Sequence, residues 1–295
     1  MTRPVTPRIL IIAGSDSGGG AGIQADIKTV TMLGGHAMTA VTAITAQNTL
    51  GVQAVMPVPA EMVRQQIDSV LGDLGVDAIK IGMIGNPETA SLVADKLESL
   101  AGIPIVFDPV MIATSGAVLA DADTIAGFEQ LMRLATLVTP NLPELGVLSG
   151  VQVETEDDIL EAALGLQRRF GCAVLAKGGH AKDETVTDLL VWHEVVARQY
   201  SERLETRHTH GTGCTLASAI AAGLGAGLAL DRAVDRAVQY VHAALIAAPG
   251  LGGGSGPIGH ALGTTPYHHI KAAESGGDWG VETWDSVWAP ERTKH

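Results

Sequence analysis

Two glycines and a cysteine lie directly before an alanine-rich segment that the spacing of its apolar residues predicts to be a helix over 215–224. The stretch reads His210-Gly211-Thr212-Gly213-Cys214. A helix start carries about +0.5 elementary charge and unpaired N–H groups, so it can hold a phosphate and lower the pKa of a thiol. These residues therefore suit phosphoryl transfer.

Polar side chains also follow several predicted strands. Asp108 ends one strand, Asn141 and Glu144 follow the next, and Lys177 ends a third. Hard oxygen ligands suit Mg²⁺, usually through its waters, and a lysine can neutralise a transferring phosphate. An asparagine cap followed by a first-turn glutamate explains Asn141 and Glu144 nearly as well.

A glycine-rich loop, residues 14–22, follows the first predicted strand and is called the first loop below. It lacks the Gly-Lys-Ser/Thr ending of a Walker A loop, and no acidic residue ends the second strand to bind a ribose, which argues against a dinucleotide fingerprint. Its backbone can approach a flat ligand closely, with Asp16 and Asp26 nearby. Gln47, at the end of the second strand, offers an amide that can pair with the edge of a heteroaromatic ring, although a solvated turn is an equal alternative.

The elements that position these residues alternate between short β-branched runs and amphipathic stretches, which predicts a doubly wound α/β fold. In such sheets, ligands bind beyond the carboxyl ends of the strands. An antiparallel hairpin around His193-Glu194 is expected to extend one edge. Strands are predicted at 9–13, 37–46, 78–81, 105–108, 137–139, 173–177, 187–192 and 195–201, and helices at 23–33, 60–71, 88–100, 122–134, 156–170, 215–224 and 231–247.

Composition limits the possible partners. With 295 residues and 46% hydrophobic content, the chain can form one large domain, and its net charge of −13 argues against nucleic acid as a partner. Only two cysteines occur, Cys172 and Cys214, and neither a leader nor an apolar run of about 18 residues is evident, so a cytoplasmic protein without a membrane span is expected. The main α/β domain is predicted over 1–263. A polar tail with three tryptophans, 264–295, is expected to be strapped to the body or disordered.

The sequence closely resembles the hydroxymethylpyrimidine/phosphomethylpyrimidine kinases, thiamine-biosynthesis enzymes of the ribokinase-like fold. The resemblance covers roughly residues 9–260. It is carried by the segments at 12–29, 45–49, 80–83, 108–111, 139–144, 177–180 and 209–215, and by Gly256, Pro257 and His260.

The resemblance implies a mostly parallel central sheet with helices on both faces, and phosphorylation by ATP and Mg²⁺ of 4-amino-5-hydroxymethyl-2-methylpyrimidine and then of its monophosphate. It also implies a homodimer. Cys214 stands where related sugar kinases carry an aspartate base, and the 211–213 amides form the anion hole. The resemblance assigns the pyrimidine site to Gly14, Ala21, Asp26, Gln47, Met83 and Val110. It assigns the nucleotide, phosphate and metal side to Asp108, Asn141, Glu144, Lys177, Thr209, Gly211, Thr212 and Gly213, with Glu144 and Asp108 reaching the metal through water.

Two alternatives remain open. Pyridoxal kinases also combine a glycine-rich first loop with a cysteine after Gly-Thr-Gly, so vitamin B6 phosphorylation or dual activity is the closest rival. A non-catalytic pyrimidine-binding protein is the second. The chain also departs from the family pattern at Ser17, where many members carry proline, and this difference is expected to loosen the first loop.

Overall fold

The central strands are short, apolar and buried on both faces, as parallel strands between two helical layers must be. In the first strand, residues 9–12 have no exposed side-chain surface. A computed structural model describes residues 6–100, 102–113, 116–178, 185–193 and 195–262. The predicted tail, residues Gly179 and His180 of the 177–180 motif, and Glu194 of the hairpin turn lie outside these described residues.

Ten strands and eight helices occur in the described residues. The strands are β1 (Arg8–Ala13), β2 (His36–Val41), β3 (Ala43–Asn48), β4 (Gly51–Pro57), β5 (Ala78–Ile81), β6 (Ile105–Phe107), β7 (Leu137–Val138), β8 (Ala173–Ala176), β9 (Thr185–Trp192) and β10 (Val195–Glu202). The helices are α1 (Gly22–Met32), α2 (Ala60–Asp73), α3 (Pro87–Leu97), α4 (Ala122–Leu134), α5 (Leu142–Ser149), α6 (Glu156–Phe170), α7 (Thr212–Gly225) and α8 (Leu230–Ile246).

The main sheet has the strand order β10-β9-β8-β7-β6-β5-β1-β2. In this sheet β2, β1, β5, β6, β7 and β8 pair in parallel, each with the next. The strands β9 and β10 add an antiparallel hairpin beside β8. The predicted α/β architecture with an edge hairpin is therefore confirmed. The described residues up to His260 form one compact unit, and none of the described helices is long and apolar enough to cross a membrane.

The predicted second strand is wrong as a single element, because the chain breaks at Thr42. The Thr42 N–H donates to Ala13 O and its hydroxyl donates to Met83 O, which turns the following residues away from the main sheet. Residues Ala43–Asn48 then pair antiparallel with Gly51–Pro57 as a separate two-stranded ribbon. Its strand β4 was not predicted.

Helix α7 begins three residues earlier than predicted. Gly211 has a φ of 89°, a left-handed conformation that glycine adopts without strain, and it caps the helix. Thr212, Gly213 and Cys214 consequently form the first helical turn, whose N–H groups have no acceptor within the helix.

Candidate active site

The predicted site residues come together in one cavity of about 730 Å³ at the carboxyl edge of the parallel strands. Both glycine-containing loops and the polar ends of β6, β7 and β8 contribute to it. Fourteen of the fifteen candidate residues line its wall: Gly14, Ala21, Gln47, Met83, Asp108, Val110, Asn141, Glu144, Lys177, Thr209, Gly211, Thr212, Gly213 and Cys214.

The fifteenth candidate, Asp26, was assigned to the pyrimidine site but does not line the cavity. Its side chain is 0% exposed and lies behind the wall, on the inner face of α1. Its carboxylate accepts hydrogen bonds from Lys80 Nζ at 2.8 Å and Ser218 Oγ at 2.7 Å. Because both oxygens are already engaged, Asp26 acts on a ligand only through its neighbours.

Asp16 organises the first loop. Its carboxylate accepts the backbone N–H groups of Gly18, Gly20 and Ala21 at 2.8 to 3.0 Å. Burial opposes the ionised form, but the hydrogen bond from His210 and those from the backbone outweigh burial and lower the pKa of Asp16. The loop is thus wound around a carboxylate that stays charged.

Ser17 fastens the first loop instead of loosening it. Its hydroxyl donates to Gln47 O and accepts from Gln47 N–H, both at 2.8 Å. Thr45 Oγ1 adds a bond to Ser15 O at 2.8 Å. The expectation that serine at this position loosens the loop is therefore wrong, because the hydroxyl supplies two bonds to β3 that a proline ring cannot make.

The first loop is also joined to the phosphate loop, residues 209–213. His210 Nε2 lies 2.9 Å from Asp16 Oδ2 and 3.4 Å from Gln47 Nε2. A Cβ placed on Gly211 would lie only 1.8 Å from Gly20 O, so the two backbones meet without room for a side chain. The ring-binding and phosphate-binding candidates therefore belong to one packed unit.

Cys214 lies in the first turn of α7, half-buried. The expected lowering of its pKa is wrong in direction. Burial raises the pKa of the thiol to about 11, although the Lys80 ammonium and a hydrogen bond from the Gly22 N–H act in the opposite direction. At neutral pH the resting side chain is therefore a neutral thiol.

Lys177 and Asp108 form the charged end of the cavity. Lys177 Nζ lies 2.9 Å from Asp108 Oδ1, and Thr139 Oγ1 lies 3.2 Å from the same oxygen. Burial disfavours the Lys177 ammonium, but Asp108 and Glu144 outweigh burial and raise its pKa. A Cβ on Gly213 would lie 3.3 Å from Lys177 Nζ, so this ammonium faces the start of α7.

Asn141 and Glu144 form a capping box at the start of α5, as the simpler sequence interpretation allowed. The Asn141 side chain accepts Glu144 N–H, and Glu144 Oε2 accepts Asn141 N–H at 2.8 Å. Burial raises the pKa of Glu144, while Lys177 counters this effect. The cap fixes a buried carboxylate, 5% exposed, at the cavity wall, so capping and phosphate or metal binding are compatible.

Two cavity residues were not recognised as site residues from sequence. Lys80 is a charged residue within the buried strand β5, and that contrast was the available signal. Asp188 on β9 accepts Gly178 N–H at 2.8 Å and so holds the chain after Lys177. Nothing in the sequence around Asp188 indicated this, because the contact joins two strands across a loop.

Candidate phosphate-binding groups and space for a small ring share the carboxyl edge of this sheet, and this arrangement agrees with the class to which the chain belongs, the ribokinase-like phosphotransferases. Its family is more specific. The chain belongs to the phosphomethylpyrimidine kinase family, whose sequence model matches residues 16–259.

Individual relatives agree with this assignment. A hydroxymethylpyrimidine/phosphomethylpyrimidine kinase of Rhizobium meliloti is 48% identical over 260 residues, covering 87% of this chain and 97% of the relative. The crystal structure of a Clostridium difficile phosphomethylpyrimidine kinase has a TM-score of 0.73 and 36% identity, covering 81% and 99%. An ADP complex of Bacillus subtilis pyridoxal kinase has a TM-score of 0.80 and 34% identity, covering 87% and 98%. The predicted family, fold and enzyme class are confirmed.

Proposed function

We propose that this enzyme transfers the γ-phosphoryl group of ATP to the hydroxymethyl oxygen of 4-amino-5-hydroxymethyl-2-methylpyrimidine, and then phosphorylates the monophosphate to the diphosphate, in thiamine biosynthesis. The observation that carries the proposal is one cavity that joins the Gln47 amide to the phosphate-binding start of α7. The name of the Rhizobium meliloti relative supports both steps. A cytoplasmic location belongs to the proposal because both cysteines are free.

At the ring end, the Gln47 amide pairs with the edge of the aminopyrimidine. Met83 and Val110 supply apolar walls, and Gly14 and Ala21 let the backbone approach the ring face. Both ends of the Gln47 amide have polar neighbours, with Thr45 Oγ1 at 3.3 Å from its oxygen and His210 at 3.4 Å from its nitrogen. The Thr45 hydroxyl orients the amide oxygen. His210 Nε2 already donates to Asp16, so it is a neighbour of the Gln47 amide nitrogen and not its acceptor.

At the phosphate end, the first-turn N–H groups of α7 hold the γ-phosphate and Lys177 neutralises its charge. Cys214 accepts the hydroxymethyl proton as the new O–P bond forms. Because the pKa of Cys214 is raised to about 11, the accepting form is the minority thiolate, whose own proton has passed to water beforehand. Phosphoryl transfer depends mainly on positioning and charge stabilisation, so late proton removal suffices and no covalent cysteine intermediate forms.

Mg²⁺ fits this end of the cavity through water. Asp108 and Glu144 provide hard oxygen donors, 2% and 5% exposed, and both interact electrostatically with Lys177. Among the described residues no group of three His, Cys, Asp or Glu side chains forms a metal site. Two carboxylates suit an ion that keeps several waters and binds phosphate oxygens, where it would neutralise charge on the transferring group.

The nucleoside of ATP lies along α8 in this proposal. The cavity continues from Thr209 past Val238 and Val241, which provide apolar surface. His242 Nε2 is buried there and has no hydrogen-bond partner within the described part of the chain. A buried ring nitrogen without a partner is costly, and a bound base would satisfy it. The ADP complex of the similar pyridoxal kinase supports nucleotide use by this fold.

Mass analysis of products tests the substrate. The pure protein is incubated with Mg-ATP and, in separate reactions, the aminopyrimidine alcohol, its monophosphate or pyridoxal. We expect the monophosphate and then the diphosphate, and a loss of at least about 10²-fold in turnover for Cys214→Ala. Wild-type turnover by Cys214→Ala would refute the role of the thiol, and no product from either pyrimidine would refute the substrate.

Pyridoxal phosphorylation is the second candidate. It is favoured by the TM-score of 0.80 with Bacillus subtilis pyridoxal kinase, which exceeds the 0.73 with the phosphomethylpyrimidine kinase structure. A larger kcat/KM for pyridoxal than for the aminopyrimidine alcohol would make it the main activity.

A homodimer through the β3–β4 ribbon is also proposed. Residues alternate along β3, so Ala43 and Thr45 are buried against the body while Ile44 points outward. Ile44 pairs across the ribbon with Met56, and the two side chains are 47% and 59% exposed. An apolar patch of this kind on a two-stranded sheet is suited to a second copy of the same surface.

Light scattering tests the dimer. Met56→Glu should halve the mass in solution, whereas Ile246→Glu, at an exposed apolar residue of α8, should leave the mass unchanged. A monomeric wild-type protein would rule the dimer out.

A further inference from the structure

A buried ion pair lies behind Cys214, in a part of the molecule that the proposed chemistry has not used. Lys80 Nζ on β5 and Asp26 Oδ2 on α1 are 2.8 Å apart, and both side chains are 0% exposed. Lys80 nevertheless belongs to the cavity wall that carries Cys214. Its ammonium group occupies space that Gly82 leaves open, since a Cβ there would lie 2.7 Å from Lys80 Nζ.

The contacts between helices α1 and α7 place the Asp26–Lys80 pair close to Cys214. On α1, Gly22 donates its N–H to the Cys214 sulfur, and Asp26 lies one turn further on. On α7, Ser218 lies one turn beyond Cys214 and donates to Asp26 Oδ1 at 2.7 Å. Residues four apart share a helix face. The Gly22–Cys214 contact and the Asp26–Ser218 contact therefore join the same faces of α1 and α7, one helical turn apart.

Stability does not by itself account for the pair. Removing two charges from water costs several kcal/mol per ion, and apolar residues of similar volume are often equally stable or more so. Burial disfavours the Lys80 ammonium, but Asp26, Cys214 and Asp108 outweigh burial and raise its pKa, so Lys80 is charged at neutral pH. A fixed positive charge is therefore kept beside a sulfur atom.

We propose that the Asp26–Lys80 pair is a positioning element for Cys214, in which the Lys80 ammonium stabilises the negative sulfur that accepts the substrate proton. Asp26 holds the ammonium in place, and the Gly22 N–H supplies a second stabilising contact. The role rests on the proposed function of Cys214 as the proton acceptor. The reacting form is the minority thiolate, whose own proton has passed to water; it takes the hydroxymethyl proton and becomes a thiol, while the substrate oxygen gains the phosphoryl group and ADP leaves.

The charged groups around the sulfur act in opposite directions. Lys80 from β5 and the Gly22 N–H favour the thiolate, while Asp26 from α1 and Asp108 after β6 disfavour it. Lys177 after β8 also interacts with Cys214. Neutralising Asp26 and Lys80 together leaves the other contacts in place. Loss of the Lys80 cation raises the pKa of Cys214, and loss of the Asp26 anion offsets only part of that rise.

Thiol alkylation tests the proposal without requiring any kinase activity. In the full-length protein, iodoacetamide modification of each cysteine is followed by peptide mass across a range of pH. Cys172 is an internal reference, because it is 2% exposed and burial raises its pKa to about 12. The apolar variant Asp26→Leu with Lys80→Met removes both charges. If that variant does not fold, Asp26→Asn with Lys80→Gln retains hydrogen-bonding groups at both positions without the charges and gives the same readout.

We expect alkylation of Cys214 at pH 8 to slow about threefold in the neutral variants, because a pKa about one unit higher lowers the thiolate fraction tenfold while nucleophilicity partly recovers. Kinase pH profiles should shift to higher pH, with kcat lowered and KM for the pyrimidine within about twofold. Ser218→Ala keeps both charges and should leave Cys214 reactivity unchanged. Removing the distant Arg8–Asp77 pair should do the same.

A folded neutral variant with unchanged Cys214 alkylation and an unchanged pH profile overturns the proposal. If alkylation is slower in the neutral variants but the wild-type enzyme phosphorylates no pyrimidine, the electrostatic effect of the pair on Cys214 stands and only the proposed substrate is refuted. A wild-type pH profile combined with slower alkylation refutes the role of the pair in the reaction.

Discussion

Substituting Gly211 by alanine tests whether the first loop and the phosphate loop must touch. The added Cβ would lie 1.8 Å from Gly20 O, and real Cβ contacts essentially never fall below 3.0 Å, so the loops must separate by more than 1 Å. The left-handed φ of 89° adds about 1–2 kcal/mol of strain for any residue other than glycine. Because a displacement of about 1 Å at reacting groups can cost about 10²-fold, we expect kcat to fall about 100-fold.

Gly171→Ala is the matched control. Gly171 has a similar φ of 79° at the end of α6, but a Cβ there meets nothing within 4 Å. In thermal melts Gly171→Ala should lose only the stability that the left-handed φ costs, and Gly211→Ala should lose more; only Gly211→Ala should lose turnover in an assay of ADP release with saturating substrates. A correctly folded Gly211→Ala enzyme with kcat within about threefold of wild type would refute the idea that this loop contact sets the reacting geometry.

Three further outcomes are expected. Gln47→Leu removes the amide, so kcat/KM for the aminopyrimidine should fall about 2- to 12-fold, the equivalent of one hydrogen bond of about 0.5–1.5 kcal/mol; an unchanged value would exclude Gln47 from ring recognition. Because the pKa of Cys214 is raised to about 11, its thiolate fraction grows tenfold per pH unit, and kcat should rise between about pH 7 and pH 9; a flat profile contradicts this. Burial lowers the pKa of His260 from 6.5 to about 4, so on acidification the unfolded chain binds this proton before the folded protein does. The free energy of unfolding should therefore decrease as the pH falls from about 6.5 to about 4, by on the order of 3 kcal/mol at most. In urea unfolding, His260→Gln should lose that acid sensitivity, and an equal pH dependence in both proteins would exclude His260 as the cause.

The helices with strong local signals were predictable from the sequence. Both α4 and α6 have the predicted bounds, since each begins after a side chain that caps its N-terminus and carries regularly spaced apolar residues. The break at Thr42 was not predictable, because the apolar pattern continues through it and the hydrogen bonds that cause it come from Ala13 and Met83. Local periodicity reports burial, and burial alone does not identify the sheet to which a strand belongs.

The identity of the site residues was largely predictable, but their contacts were not. The rule that ligands bind at the carboxyl ends of parallel strands gathers Asp108, Asn141 and Lys177 from distant parts of the chain. It does not reveal that Asp26 faces Lys80, or that Ser17 pairs with Gln47, because these contacts depend on how helices and loops pack. The sign of the Cys214 shift was missed for the same reason, since helix-terminus charge is visible in the sequence and burial is not.

The β3–β4 ribbon is a sheet of its own, so one ring-binding candidate lies on a different sheet from the phosphate-binding candidates. Gln47 lies on the ribbon, while the phosphate-binding residues Asp108 and Lys177 follow strands of the main sheet. If Gln47 recognises the ring as proposed, exchange of the ribbon between related kinases would change this one contact and leave Asp108 and Lys177 in place. In evolutionary terms, the ribbon could be replaced as a segment, and the hydrogen bonds that Thr45 and Gln47 donate to Ser15 and Ser17 are the connections that any replacement ribbon must recreate.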